Sequence, residues 1–108
     1  MPITISELMS RMPGALLQDK AAGVDAVIQF IFTGAEAGNW YVTIKEGKCS
    51  VAQGDAPSPK MTLTADSSDY IRIITGELDR MKAFMEGRIK LGGDLALAMK
   101  LMQMFKVQ

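Results

Sequence analysis

The sequence predicts a single α+β domain over residues 1–108, built on a largely antiparallel sheet. Three observations predict it. A length of 108 residues fits one domain and one core. The runs "WYVTIK" and "KCSVAQ" each alternate apolar and polar residues and flank the short glycine turn "EG", which spells a β-hairpin. Regular alternation of strand and helix patterns, the mark of a parallel α/β sheet, is missing.

Each element follows from local chemistry. "TISELMSRM" opens with Thr4 three residues before Glu7, a capping-box spacing, and carries Leu8, Met9 and Met12 at helical intervals until Pro13 interrupts. "GALLQDKAAG" reads as a second helical piece with Leu16 and Leu17 inward and Gly23 as its stop. "DAVIQFIFTG" is β-branched and aromatic without strict alternation, so it reads as a strand buried on much of both faces. After the turn "AEAGN", Trp40, Val42 and Ile44 share one face of the next strand, and Cys49 and Val51 share a face of its hairpin partner. Pro57 and Pro59 mark a loop, then "KMTLTA" alternates again. Asp66 and Asp79 are N-caps of two short helices ending at Gly76 and Gly87. "RIKLGG" is a last strand with Ile89 and Leu91 on one side, and Asp94 caps a closing helix. The order is two helices, four strands, two helices, one strand, one helix.

Composition narrows the function. Twelve basic residues balance twelve acidic ones, which disfavours nucleic acid. Histidine is absent, which removes His-based nucleophile systems and His-based zinc sites, and no spacing implies a metal or any cofactor. A single cysteine forbids an internal disulfide and suits a reducing compartment. The start lacks the form of a signal peptide and no apolar run approaches the length of a membrane span, so a cytoplasmic protein is expected. "TGAEAG" and "GGD" lack phosphate-loop spacing and read as turns and caps. Glu7, Glu36, Glu46, Asp66, Asp79 and Asp94 fall at caps or turns, where a carboxylate has a structural task. No catalytic constellation emerges, and the chain is not expected to be an enzyme.

The informative surplus is apolar. There are nine methionines. On a wheel at 100° per residue, Leu95, Leu97, Ala98, Met99, Leu101, Met102, Met104 and Phe105 spread over about 220°, where a one-sided helix needs roughly 100° or a little more. One sheet face cannot hide that arc. It must meet another helix, a second subunit, a membrane surface or an apolar ligand. Methionines either fill gaps in a core or, being unbranched and polarizable, form a wall that reshapes around varied chains.

The ordered set "MTLTADSSDYIRIITGELDRMKAFMEGRIKLGGDLALAMKLMQMF", preceded by the tryptophan strand and glycine hairpin "GNWYVTIKEGKCSV", resembles the sterol carrier protein 2 family in its short stand-alone bacterial form. The resemblance implies a curved five-stranded sheet with helices on one face. It also implies an apolar tunnel between the two layers that takes up fatty acids, acyl-CoA esters, sterols, phospholipids or isoprenoids without reacting with them. On that reading Phe84, Met85, Leu91, Met99 and Met102 are the first candidates for the wall, and Leu16, Leu17, Phe30, Phe32 and Trp40 the second. Met104 and Phe105 are candidates for a rim that touches a membrane surface. The ending "MFKVQ" departs from the Ser/Ala-Lys-Leu peroxisomal address of eukaryotic members. Two other readings stay open: an accessory protein that presents a lipid substrate to a partner enzyme, and a homodimer that buries the apolar arc without a ligand.

Overall fold

The computed structural model describes residues 3–97 and residue 100. Helix α1 (Ile5–Ala15) begins at Thr4, whose hydroxyl accepts from the Glu7 amide at 3.1 Å. Pro13 does not end it, contrary to the sequence expectation. A proline at this position forfeits one hydrogen bond near the helix end, where several carbonyls lack intrahelical partners anyway. Buried Ile5, Leu8 and Met9 hold the helix to the core. The second helical piece is correspondingly shorter. Leu16 and Leu17 are extended and half-buried, and α2 is only Gln18–Ala21.

Strands β1 (Ala26–Thr33), β2 (Gly38–Lys45) and β3 (Lys48–Gln53) form an antiparallel meander, with a 3-10 turn at Gly34–Glu36 between the first two. At the hairpin Glu46 and Gly47 have φ of +53° and +74°, the pair of left-handed residues that matches the twist of its strands. Strand β4 (Met61–Asp66) then lies on the far side of β1 and parallel to it, and β5 (Ile89–Gly93) pairs antiparallel with β4. The sheet order is β3-β2-β1-β4-β5. Between β4 and β5 come α3 (Ser67–Ile74) and α4 (Arg80–Met85), capped by Asp66 and Asp79 as expected. Residues 95–97 and 100 are helical, and the Asp94 carboxylate accepts from the Leu97 amide at 3.1 Å.

The single parallel pair needs a return across the sheet, and one buried side chain holds it. Gln29 lies on the sheet face opposite Ile28 and Phe30. Its amide donates to the carbonyls of Trp40 (2.9 Å) and Gly54 (3.1 Å), and its oxygen accepts from the Ala56 amide at 2.6 Å. The Gly54 amide bonds Asn39 and the Lys60 amide bonds Val27, so the loop is fastened where it leaves β3 and where it joins β4. Gln29→Leu keeps the bulk but strands these partners, and a loss of about 2 kcal/mol is expected in urea unfolding. An unchanged midpoint would show that the loop is held by other means.

Candidate functional site

Register decides which side chains meet. In β1 the residues Ala26, Ile28, Phe30 and Phe32 face one way and all are buried. Cα pairing carries this face across the sheet: Trp40 opposes Phe30, Leu63 lies beside Phe30 on β4, and Leu91 opposes Leu63 on β5. Trp40, Phe30, Leu63 and Leu91 thus make one apolar row over four strands. A second row runs Val51, Val42, Ile28, Met61. Burial is complete at Phe30 in the middle and falls to half at Trp40 and Leu91 toward the edges.

Helix α1 packs on β3, and α3 packs on β4 and the 3-10 turn. Tyr70 of α3 meets Phe30 edge-on at 5.9 Å between ring centroids and Phe32 at 5.1 Å. Such tilted pairs contribute beyond their buried area. The two helices are set by the 3-10 turn: the Glu36 carboxylate accepts from the Ile5 amide at 2.9 Å, while the Glu36 amide donates to the Ser67 hydroxyl at 3.1 Å. One turn residue therefore braces the N-termini of both covering helices. Sequence reading assigned Glu36 a structural task but could not name its partners, which lie 31 residues away on either side. Tyr70 was missed as well, although its spacing from Ile73 and Ile74 is the apolar face of a helix.

The structure brings Phe30, Phe32, Trp40 and Leu91 onto one sheet face, with Leu16 packed against the same core. Leu17 is half-buried in the link between α1 and α2. Phe84 and Met85 are not brought to this face: Ala83 is the buried residue of α4, and they are 47% and 81% exposed. Met99, Met102 and Phe105 lie outside the described residues. Two open depressions border the layers. One, about 260 Å³, is lined by Pro13, Leu16, Gly47, Lys48 and Cys49; the other, about 180 Å³, includes Val24, Lys60, Asp94 and Leu97. Both fall short of the roughly 300 Å³ at which pockets begin to enclose drug-sized ligands.

Two titratable groups at the face are held neutral. Burial pushes the Cys49 thiol up from 9.0 to about 11 and raises the Tyr70 hydroxyl as well, so both stay neutral near pH 7. Among the described residues no group of three His, Cys, Asp or Glu could hold a metal ion, and no helix is long and apolar enough to cross a membrane. A shift of that size leaves on the order of a hundredfold less thiolate below pH 9 than an ordinary cysteine has. Alkylation of Cys49 by iodoacetamide at pH 8 is therefore expected to be slow in the folded chain and fast in urea. Equal rates would contradict its burial.

The model of the SCP-2 sterol transfer family matches residues 5–106. The chain belongs to this family. Domains of the family bind and carry apolar lipids, which accords with the apolar sheet face described above. A hydroxysteroid dehydrogenase-like protein 2 from Xenopus tropicalis is 33% identical over 99 residues, 90% of this chain. The chain spans about a quarter (24%) of that relative's length. The solution structure of palmitated SCP2L2 from Aedes aegypti is 31% identical, covers 92% of this chain and 91% of its own, and superposes with a TM-score of 0.75. The inverting sec-alkylsulfatase Pisa1 from Pseudomonas shares the fold at a TM-score of 0.80 and 21% identity, over 98% of this chain and 17% of its own.

Proposed function

We propose that the chain is a non-catalytic carrier that takes up an acyl lipid, such as a long-chain fatty acid or its CoA ester, between the apolar sheet face and the helical layer. The observation that carries the reading is the row Trp40, Phe30, Leu63, Leu91, which continues beyond its covered centre to half-buried positions. Cys49, held neutral, is the one titratable side chain on the strand residues of that face. A palmitated relative of matching length supports the choice of an acyl chain over a sterol. Trp40 and Leu91 form the sheet side of the wall in this account and Leu16 and Leu17 its end, and Met99, Met102 and Phe105, outside the described residues, are proposed to contribute to it. Phe30 and Phe32 form its floor. Phe84 and Met85, which face solvent, take no part in it.

Magnitudes permit a simple mechanism. Burying a sixteen-carbon chain at about 0.8 kcal/mol per methylene yields about 12 kcal/mol before costs. Lost freedom and chain ordering remove several kcal/mol, which leaves binding in the micromolar range, tight enough to carry and weak enough to release. Native mass spectrometry of freshly purified protein, followed by organic extraction, tests the reading. Co-purified acyl lipid near one per chain supports it, whereas a protein that stays free of ligand even after incubation with fatty acid refutes it.

A second reading is favoured by the relatives' size. Since the matched region is about a quarter of a dehydrogenase-like protein, the domain acts there beside a larger partner region, and this chain presents its lipid to a separate enzyme in the same way. Affinity capture with bound lipid in place, recovering one enzyme in stoichiometric amount, distinguishes presentation from free transfer. A cytoplasmic location fits both readings.

A further inference from the structure

Helix α3 places a phenol where a plain ring would serve. Tyr70 is one of its buried residues, at 8% exposure, and its ring rests against Phe32 and, edge-on, against Phe30. Phenylalanine would make the same ring contacts without burying an oxygen. Among the described residues no group of the chain hydrogen-bonds the Tyr70 hydroxyl, whose side chain is engaged through its ring alone. Such groups are rare in native interiors, because an unpaired buried hydroxyl carries its full desolvation cost. Burial is the only influence on its ionisation and raises its pKa, so near pH 7 it is a neutral donor. No side-chain nitrogen or oxygen among the described residues is both unpaired and completely sealed, so the Tyr70 oxygen keeps a narrow opening. An incoming group can reach it.

We propose that the Tyr70 hydroxyl is a polar contact inside the lipid site, donating a hydrogen bond to an uncharged oxygen, a hydroxyl or a keto group, carried midway along an acyl chain. The proposal rests on the lipid-carrier reading and narrows its ligand class. Position argues for the middle of the chain. Tyr70 packs on Phe30, the fully buried member of the row Trp40, Phe30, Leu63, Leu91, and both ends of that row are only half-buried. A chain laid along the row keeps its charged head at one of those ends. Charge argues for a neutral oxygen. The phenol sits among aromatic rings with no charged group acting on it, and a single neutral donor does not offset the burial of a carboxylate. A site with a buried donor favours the ligand that satisfies it over the analogue that leaves it unpaired.

Competition against a fluorescent fatty acid tests the contact, with stearate, 10-hydroxystearate and 10-oxostearate as competitors. The parent chain is expected to bind both oxygenated acids about fivefold or more tightly than stearate. Tyr70→Phe is expected to lose that preference while holding stearate at or above the parental affinity. The unfolding midpoint of lipid-free Tyr70→Phe should equal or exceed the parent's, because the substitution keeps the ring and removes an unpaired hydroxyl. A lower midpoint would reveal an internal partner and overturn the proposal. So would equal affinity of the parent for all three acids, or a preference that survives Tyr70→Phe. A gain with the hydroxy acid alone overturns the donor role, since a keto oxygen accepts equally well. Stearate bound without discrimination removes the Tyr70 contact and leaves the carrier reading in place, whereas failure of all three acids to bind removes both.

Discussion

Phe30→Ala is expected to lower stability by about 4 kcal/mol in equilibrium unfolding. Phe30 is fully buried at the centre of β1, the strand that pairs with both β2 and β4. Its ring contacts Phe32 at 5.9 Å and Tyr70 at 5.9 Å, so truncation removes the transfer free energy of the side chain and opens a cavity between sheet and α3. Collapse around that cavity is limited because Phe32 and Tyr70 are fixed to separate elements. Placed at the floor of the proposed lipid site, the same cavity should be partly filled by ligand. Saturating fatty acid is therefore expected to raise the variant's unfolding midpoint more than the parent's. A loss below about 1 kcal/mol would mean that Phe30 does not bridge the two layers.

Gly93→Ala should cost about 3 kcal/mol. Gly93 has φ of +86°, and a Cβ added there would run into the Lys60 carbonyl oxygen and approach the Met61 Cα to 2.9 Å. Left-handed alanine costs about 1–2 kcal/mol, and a collision with backbone atoms adds at least as much because backbone cannot swing aside. The contact also sits beside the bond from the Asp94 amide to the Lys60 carbonyl (3.0 Å). Gly92 supplies the control. A Cβ there meets nothing within 4 Å, so Gly92→Ala should be near neutral. Similar effects at the two positions would contradict the close approach of β5 to Lys60.

Local signals were legible wherever one residue decides the geometry. Strand β3 spans Lys48–Gln53, the run "KCSVAQ" itself, and Asp66 and Asp79 cap the helices that their positions announce. The five-stranded, largely antiparallel sheet followed from the hairpin, the count of strand-like runs and the missing regular alternation of strand and helix. What escaped was set by distant partners. The parallel pairing of β1 with β4 depends on a loop crossing held by Gln29, and nothing in "VIQFIF" marks that glutamine as buried and bonded to Ala56. Pro13 looked like a breaker because its cost is local, whereas the burial of Leu8 and Met9 that outweighs it is tertiary.

The sheet face that carries the proposed site was legible in part for the same reason. Alternation put Trp40 and Leu91 on the faces that the register later aligned. Phe84 and Met85 were named as wall candidates on the resemblance, for their apolar character. In α4 the small Ala83 is the buried residue instead and the large ones turn to solvent. A six-residue helix has too few positions for its wheel to reveal which side is inward.

The central claim is that an acyl lipid binds against the Trp40–Leu91 face. The most direct test is a titration of delipidated, isotopically labelled protein with palmitate, followed by amide chemical shifts. The account predicts saturable one-to-one binding in the micromolar range, with shifts centred on Trp40, Leu63 and Leu91 and on the residues of α1 and α3 above them. Absence of saturable binding, or shifts confined to the opposite face around Gln29 and Thr62, would contradict it.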